Sequence, residues 1–219
     1  MIENIFSTPI YKTIIKNYPK ESMIDRCNKY IQEAEPCGTG MSPAELKCKD
    51  VYLGDNFNGG QIHDFEEFSS LNSEINKHVK LFLKNFQDDE IFLDRIDVHA
   101  QKSWLVKVKD GGAVQPHTHP NGHLSCVFYI EVPDDAGQLG FLVPPAHPVL
   151  SLPLPLDPDN YHITPENGML VIFPSTLWHY VSCSMPSIPR YSVSYDLVCT
   201  TRLPEENFCL DPSSWKKLK

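Results

Sequence analysis

The sequence predicts a mainly β fold of the α+β kind, a sandwich or jelly roll with helices gathered toward its N-terminal side. Apolar residues recur at three- and four-residue steps over residues 65–83 of the 219 and with a period of two from residue 91 onward. Gly/Pro/Asn/Asp turns such as Asp110-Gly111-Gly112, Asn121-Gly122 and Asn167-Gly168 divide the later part into many short segments. Helices precede strands and no internal repeat interrupts that order, so one domain is expected over residues 1–219.

Residues 5–15 mix aromatic and β-branched side chains (Phe6, Tyr11, Thr13, Ile14) and predict an opening strand. A helix follows over 21–33, ended by the region 36–40 with its Pro36 and Gly40. A second helix starts near Asp64, which forms a capping-box pattern with Glu67; Phe65, Phe68, Leu71, Ile75, Val79 and Leu83 make its core-facing stripe. Strands are predicted at 94–100, 103–109, 124–132, 140–143, 161–164, 169–173, 178–183 and 190–199. Residues 143–158 carry Pro144, Pro145, Pro148, Pro153, Pro155 and Pro158, which exclude a central strand and make a stiff connection, either a surface loop or a lid beside a site. The domain thus divides into an opening strand with supporting helices (1–90), a β core (91–200) and a C-terminal tail (201–219).

Composition narrows the function classes. A formal charge of −9 repels phosphate backbones and no Lys/Arg cluster offsets it, so nucleic acid is not expected as a partner. Residues 1–20 lack the apolar core and cleavage site of a secretory signal, and no apolar run is long enough to span a bilayer. Seven cysteines without a CxxC pair fit free thiols in a reducing compartment, which predicts a cytoplasmic location. The helical front is a candidate homodimer face.

The chemistry concentrates in Pro116-His117-Thr118-His119-Pro120, in the segment Phe173-Pro174-Ser175-Thr176-Leu177-Trp178-His179, and in Arg190-Tyr191-Ser192. On an extended chain residues i and i+2 share a face, so His117 and His119 can converge on one ion, with His179 delivered by a neighbouring strand. Imidazole suits Fe, Zn, Cu and Ni alike, so ligand type leaves the metal open. His123, beyond the Asn121-Gly122 turn, is a reserve ligand or a surface residue. Arg190, Ser192 and Ser194 share one face of the last strand. A guanidinium aimed into a barrel needs an anion, and its planar fork matches a carboxylate.

The order HxH, a distal His in FPS-x-x-x-H, and a following R-x-S resembles the Fe(II)- and 2-oxoglutarate-dependent oxygenases, particularly the branch with HxHP-N-x-x-(L/I)-S-x-V-x-Y in place of HxD. Here that stretch reads His117-Thr118-His119-Pro120-Asn121-Gly122-His123-Leu124-Ser125-Cys126-Val127-Phe128-Tyr129, and the resemblance runs roughly over residues 104–195, more weakly over 6–11. It implies a double-stranded β-helix for 91–200, with the helices packed on one sheet. It also implies Fe(II), 2-oxoglutarate and dioxygen as cofactor and co-substrates. By position His117, His119 and His179 would be metal ligands, and Arg190, Ser192 and Tyr129 would hold the distal carboxylate of 2-oxoglutarate. Trp104 would wall the pocket or fill the core. The implied reaction is oxidative decarboxylation to succinate and CO2 coupled to hydroxylation of a peptidyl, amino-acid or small-metabolite substrate. His119 stands where most such enzymes place a carboxylate, and three neutral imidazoles leave the metal its full charge to meet a dianionic co-substrate.

Two other readings share these residues. Gly111 ahead of HxH and Pro165-x-x-Gly168 ahead of His179 also resemble a cupin, a metal-dependent dioxygenase or isomerase that needs no oxo acid. The other is a non-catalytic barrel serving as a binding module. Arg190 separates them, because only the oxygenase requires it.

Overall fold

The β core closes because its strands are apolar on both faces and must be covered on both. The structure is a computed structural model describing residues 7–33, 51–54, 60–86, 90–109, 112–142, 160–183, 188–201, 212 and 215–216. Its helices are α1 (Lys20–Glu33), α2 (Ser69–Leu83) and α3 (Glu90–Asp94). Its strands are β1 (Tyr11–Ile14), β2 (Val51–Leu53), β3 (Ile96–Val108), β4 (Val114–His117) and β5 (Leu124–Glu131). They continue as β6 (Leu139–Leu142), β7 (Asn160–Ile163), β8 (Met169–Pro174), β9 (His179–Val181) and β10 (Arg190–Thr201).

A six-stranded sheet runs β1-β8-β5-β10-β3-β2 and a four-stranded sheet runs β4-β9-β6-β7, with every pairing antiparallel. This is the jelly-roll, double-stranded β-helix architecture expected from the sequence. On β5, Cys126, Phe128 and Ile130 join the outer core beneath the helices, while Tyr129 joins the inner core between the sheets. Leu170 and Ile172 of β8 alternate in the same way with Val171 and Phe173. Burial on both faces explains why these strands read as near-continuous apolar runs.

The helices cover the outer face of the larger sheet. Met23, Cys27 and Tyr30 form the buried stripe of α1, and Leu71, Ile75, Val79 and Phe82 that of α2. Tyr11 Oη donates to Nδ1 of the buried His78 at 2.8 Å, tying β1 to α2. Gly168 adopts φ 77° in the turn before β8, where its amide donates to the Tyr129 carbonyl and its own carbonyl accepts from the Ile15 amide. A side chain there would also meet the Ile15 carbonyl, so this turn requires glycine.

Several details differ from the sequence reading. The helical stripe begins as two short 3-10 turns, Ile62–Asp64 and Glu66–Phe68, before α2 starts at Ser69; neither Asp64 nor Glu67 caps a helix. Phe65 interrupts the helix with extended backbone, ψ 137°, which breaks the capping-box register. The strands expected at 94–100 and 103–109 are one strand, β3, because β10 pairs along its whole length with a single register shift beside Leu197. Residues 94 and 95 lie outside it, at the end of α3 and in the following turn. The short β2 carries no period and was not expected. The proline-rich connection 143–158, the helix end at 36–40 and most of the tail lie outside the described residues.

Candidate metal centre

His117 ends β4 and His179 opens β9, and the two are register partners on the smaller sheet. His119 lies two residues beyond β4, so a turn rather than an extended strand delivers it. That turn is stapled to the one after β8: the His119 amide donates to Ser175 O at 2.8 Å, and the Ser175 amide to His123 O at 3.2 Å. Gly122 fits beneath because a Cβ there would lie 2.8 Å from Ser175 Oγ. The Pro-Asn-Gly and Pro-Ser-Thr turns therefore interlock, and their interlock aims His119.

The three rings converge. One nitrogen of each of His117, His119 and His179 lies within 4.8 Å of the others, a cluster able to hold a metal ion. Each Nδ1 faces an acceptor: His117 the Gln115 carbonyl at 2.8 Å, His179 the Leu177 carbonyl at 2.9 Å, and His119 the Asp196 carboxylate at 3.3 Å. A ring that donates from Nδ1 has a lone pair on Nε2, so these partners select the tautomer that presents Nε2 to an ion. His119 Nε2 and His179 Nε2 stand 3.2 Å apart. With both protons on the Nδ1 side they cannot hydrogen-bond to each other, and a shared cation resolves the repulsion. Cis ligands about 2.1 Å from a metal are about 3 Å from each other, so the spacing fits coordination. Burial, then the neighbouring His117, drives the His179 pKa down to about 3, which keeps the buried ring a neutral ligand.

The rings open onto a cavity of about 270 Å³ between the two sheets, also lined by Trp104, Tyr129, Phe173, Arg190 and Ser192. Arg190 is 2% exposed, which matters because a fully buried guanidinium needs partners. Its Nη1 donates to the Gly137 carbonyl at 3.1 Å, while Nε finds no partner among the described residues. Burial lowers its pKa, and the adjacent Tyr129 opposes that shift. The guanidinium sits 5.8 Å from the Tyr129 ring centroid. Burial raises the pKa of the Tyr129 phenol, which keeps it a hydrogen-bond donor. Ser192 Oγ donates weakly to the Val106 carbonyl at 3.4 Å and lines the same cavity.

Residues 102–196 match the family described as "Putative 2OG-Fe(II) oxygenase". The chain carries a 2OG-Fe(II) oxygenase segment. That segment contains His117, His119, Tyr129, His179, Arg190 and Ser192, and it assigns an Fe(II)- and 2-oxoglutarate-dependent oxygenase as the enzyme class. The fold of this oxygenase is shared with solved structures at low sequence identity. A prolyl-4-hydroxylase from Pseudomonas putida aligns with TM-score 0.55 at 15% identity, covering 87% of this chain and 93% of that one. A 2OG-Fe(II) oxygenase family oxidoreductase from Burkholderia pseudomallei aligns with TM-score 0.51 at 12% identity, covering 85% and 84%. The alpha-ketoglutarate-dependent epimerase SnoN from nogalamycin biosynthesis aligns with TM-score 0.55 at 11% identity, covering 97% and 86%. The sequence matches none of the curated proteins.

His123 is not part of the cluster: it is exposed, its Nδ1 accepts from the Cys199 amide at 3.1 Å, and it fixes the turn to β10. Trp104 is both buried and a wall of the site, its ring tilted 31° to His119 with centroids 5.3 Å apart. Ser125 and Ser175 stand in the sequence motifs without a role assigned by them, and Asp196 lies outside those motifs. For Asp196 the signal was there, because Arg190, Ser192, Ser194 and Asp196 continue one alternation along β10.

Proposed function

We propose that this oxygenase binds Fe(II) through His117, His119 and His179 and holds the distal carboxylate of 2-oxoglutarate with Arg190, assisted by Ser192 and Tyr129. It hydroxylates an unidentified substrate with release of succinate and CO2. The observation that carries this reading is that one cavity contains both a three-imidazole cluster and a buried guanidinium whose Nε has no partner among the described residues. A structural ion would not need the guanidinium, and a barrel without an anionic ligand would not bury one.

Each residue has a task that its surroundings support. The histidines, fixed by their Nδ1 partners, present lone pairs to the metal without reorganisation. Arg190 offers a planar fork to a carboxylate, and Tyr129, held as a phenol, and Ser192 can donate to the same oxygens. Leu139 and Phe173 make the walls apolar and restrict water. Bound Fe(II), 2-oxoglutarate and dioxygen supply the oxidation.

The peptidyl, amino-acid and small-metabolite substrates all fit this scheme, and neither nucleic acid nor a membrane is among the proposed partners. A cytoplasmic setting is supported by the free thiols of Cys27, Cys126 and Cys199. No helix among the described residues is long and apolar enough to cross a membrane. A single domain over 1–219 is proposed from the two facing sheets of the described residues, with helices covering the larger. A homodimer through the helical side is supported by exposed Leu81, Phe86 and Ile91.

The test is an anaerobic titration of Fe(II)-loaded protein with 2-oxoglutarate, then succinate release in air. A 2-oxoglutarate-dependent charge-transfer band and succinate in the wild type, both lost in His179→Ala, are expected. No band and no succinate from metal-loaded wild type would overturn the reading.

A further inference from the structure

Asp196 is an aspartate in an unusual place. It is 7% exposed, on the inward face of a central strand, where a lone carboxylate is costly unless paired. It does not pair with Arg190. The two are six residues apart on one extended strand, roughly 20 Å, with the cavity between them. Its partners are instead those of the metal centre. Ser125 Oγ donates to Oδ1 at 3.0 Å, Ser175 Oγ lies 3.0 Å from Ser125 Oγ, and Oδ2 lies 3.3 Å from His119 Nδ1. Ser175 is the residue whose backbone carbonyl accepts from the His119 amide. Side chain and backbone of His119 are thus fixed by the same polar cluster.

We propose that Asp196 is the positioning residue of this metal centre, supplying through the His119 ring the negative charge that a facial triad would otherwise take from a carboxylate ligand. The inference rests on the reading of His117, His119 and His179 as ligands. Three neutral imidazoles leave a divalent ion at +2, whereas a carboxylate against one ligand ring brings the assembly to +1, the charge of a two-histidine, one-carboxylate site. The other two rings lean on backbone carbonyls, which carry no net charge. Asp196 therefore fixes the His119 tautomer and strengthens Nε2 as a donor. Ser125 holds the carboxylate in the rotamer that reaches the ring, with Ser175 beside it.

The test uses the full chain and two calorimetric titrations without oxygen: Mn(II) into metal-free protein, then 2-oxoglutarate into protein saturated with Mn(II). Asp196→Asn keeps the shape and can still accept from Ser125, but it removes the charge. Its metal Kd should rise about 10–100-fold, while its 2-oxoglutarate Kd at saturating metal is unchanged or lower, because the site gains one positive charge toward a dianion. Ser125→Ala leaves the carboxylate and His119 untouched and should weaken metal about two- to tenfold. Asp196→Asn should add no further loss in a His119→Ala background. A metal Kd within twofold of wild type in Asp196→Asn, or a parallel loss of both affinities, overturns the proposal. His119→Ala keeps the two readings apart: metal affinity unchanged in that variant overturns the ligand assignment itself. Metal binding lost in His119→Ala but intact in Asp196→Asn overturns only the role of Asp196.

Discussion

Replacing Arg190 with leucine tests the co-substrate assignment with opposite expected effects on stability and binding. Without ligand, the buried guanidinium has among the described residues one hydrogen bond, to Gly137, and no partner for Nε. Exchanging a poorly compensated buried charge for an apolar side chain of similar volume is neutral or stabilising. The metal-loaded variant should therefore melt at or above the wild-type temperature. Binding should collapse, because removing one partner of a buried charge pair costs about 3–5 kcal/mol, which at about 1.4 kcal/mol per decade is a loss of roughly two to three and a half orders of magnitude in affinity. At 2-oxoglutarate one hundred times the wild-type Kd, the ligand stabilises wild type by about 2.7 kcal/mol, or about 5–10 °C for a domain of this size. The same concentration should shift the variant by about 1 °C or less. Differential scanning fluorimetry with Mn(II), without and with 2-oxoglutarate, reads both effects. A variant that keeps the wild-type ligand shift refutes the role of Arg190, and a wild type with no ligand shift favours a cupin that uses no oxo acid. Arg190→Lys, with charge but no planar fork, should fall between the two.

Other outcomes follow from the same contacts. Tyr129→Phe should weaken 2-oxoglutarate by about two- to tenfold, read by the same calorimetry, since one donor is lost. Gly168→Ala should destabilise by at least about 1 kcal/mol, read by urea denaturation, because alanine is strained at φ 77° and its methyl meets Ile15. Leu170→Ala should cost about 2–5 kcal/mol while leaving metal affinity intact, because Leu170 lies in the outer core under the helices. His78 supplies a pH signature. Burial, with help from Lys77 and against Glu74, lowers its pKa, so the unfolded chain binds the proton more readily. Its contribution to stability is present above about pH 6.5 and is lost as pH falls through the lowered native value. Melting temperature should drop between pH 7 and 5, and His78→Gln should flatten part of that drop.

The β core was legible because short strand-forming segments bounded by Gly/Pro/Asn/Asp turns are local features of the chain. The strands at 124–132, 140–143, 161–164, 169–173 and 190–199 all lie within two residues of their observed ends. What failed was also local. Asp64 and Glu67 have the spacing of a capping box, but Phe65 takes extended backbone and the helix starts later. One strand reads as two because the break between the segments falls on a register shift, Asp196 pairing with Lys102 and Leu197 with Ala100, across which β10 stays paired. The candidate site was legible for the same reason as the strands: HxH, a distal histidine and R-x-S are patterns along the chain.

By itself the sequence determined which chemical groups this protein has and which face of a strand each occupies, since alternation is fixed by covalent geometry. Only the tertiary structure decided which groups meet. The carbonyls that fix His117 and His179 are sequence neighbours, two residues away, whereas the carboxylate that fixes His119 comes from β10, 77 positions on. A hydrogen-bond partner brought from another strand depends on register and sheet closure, which are properties of the packed chain and are written in no single segment of it.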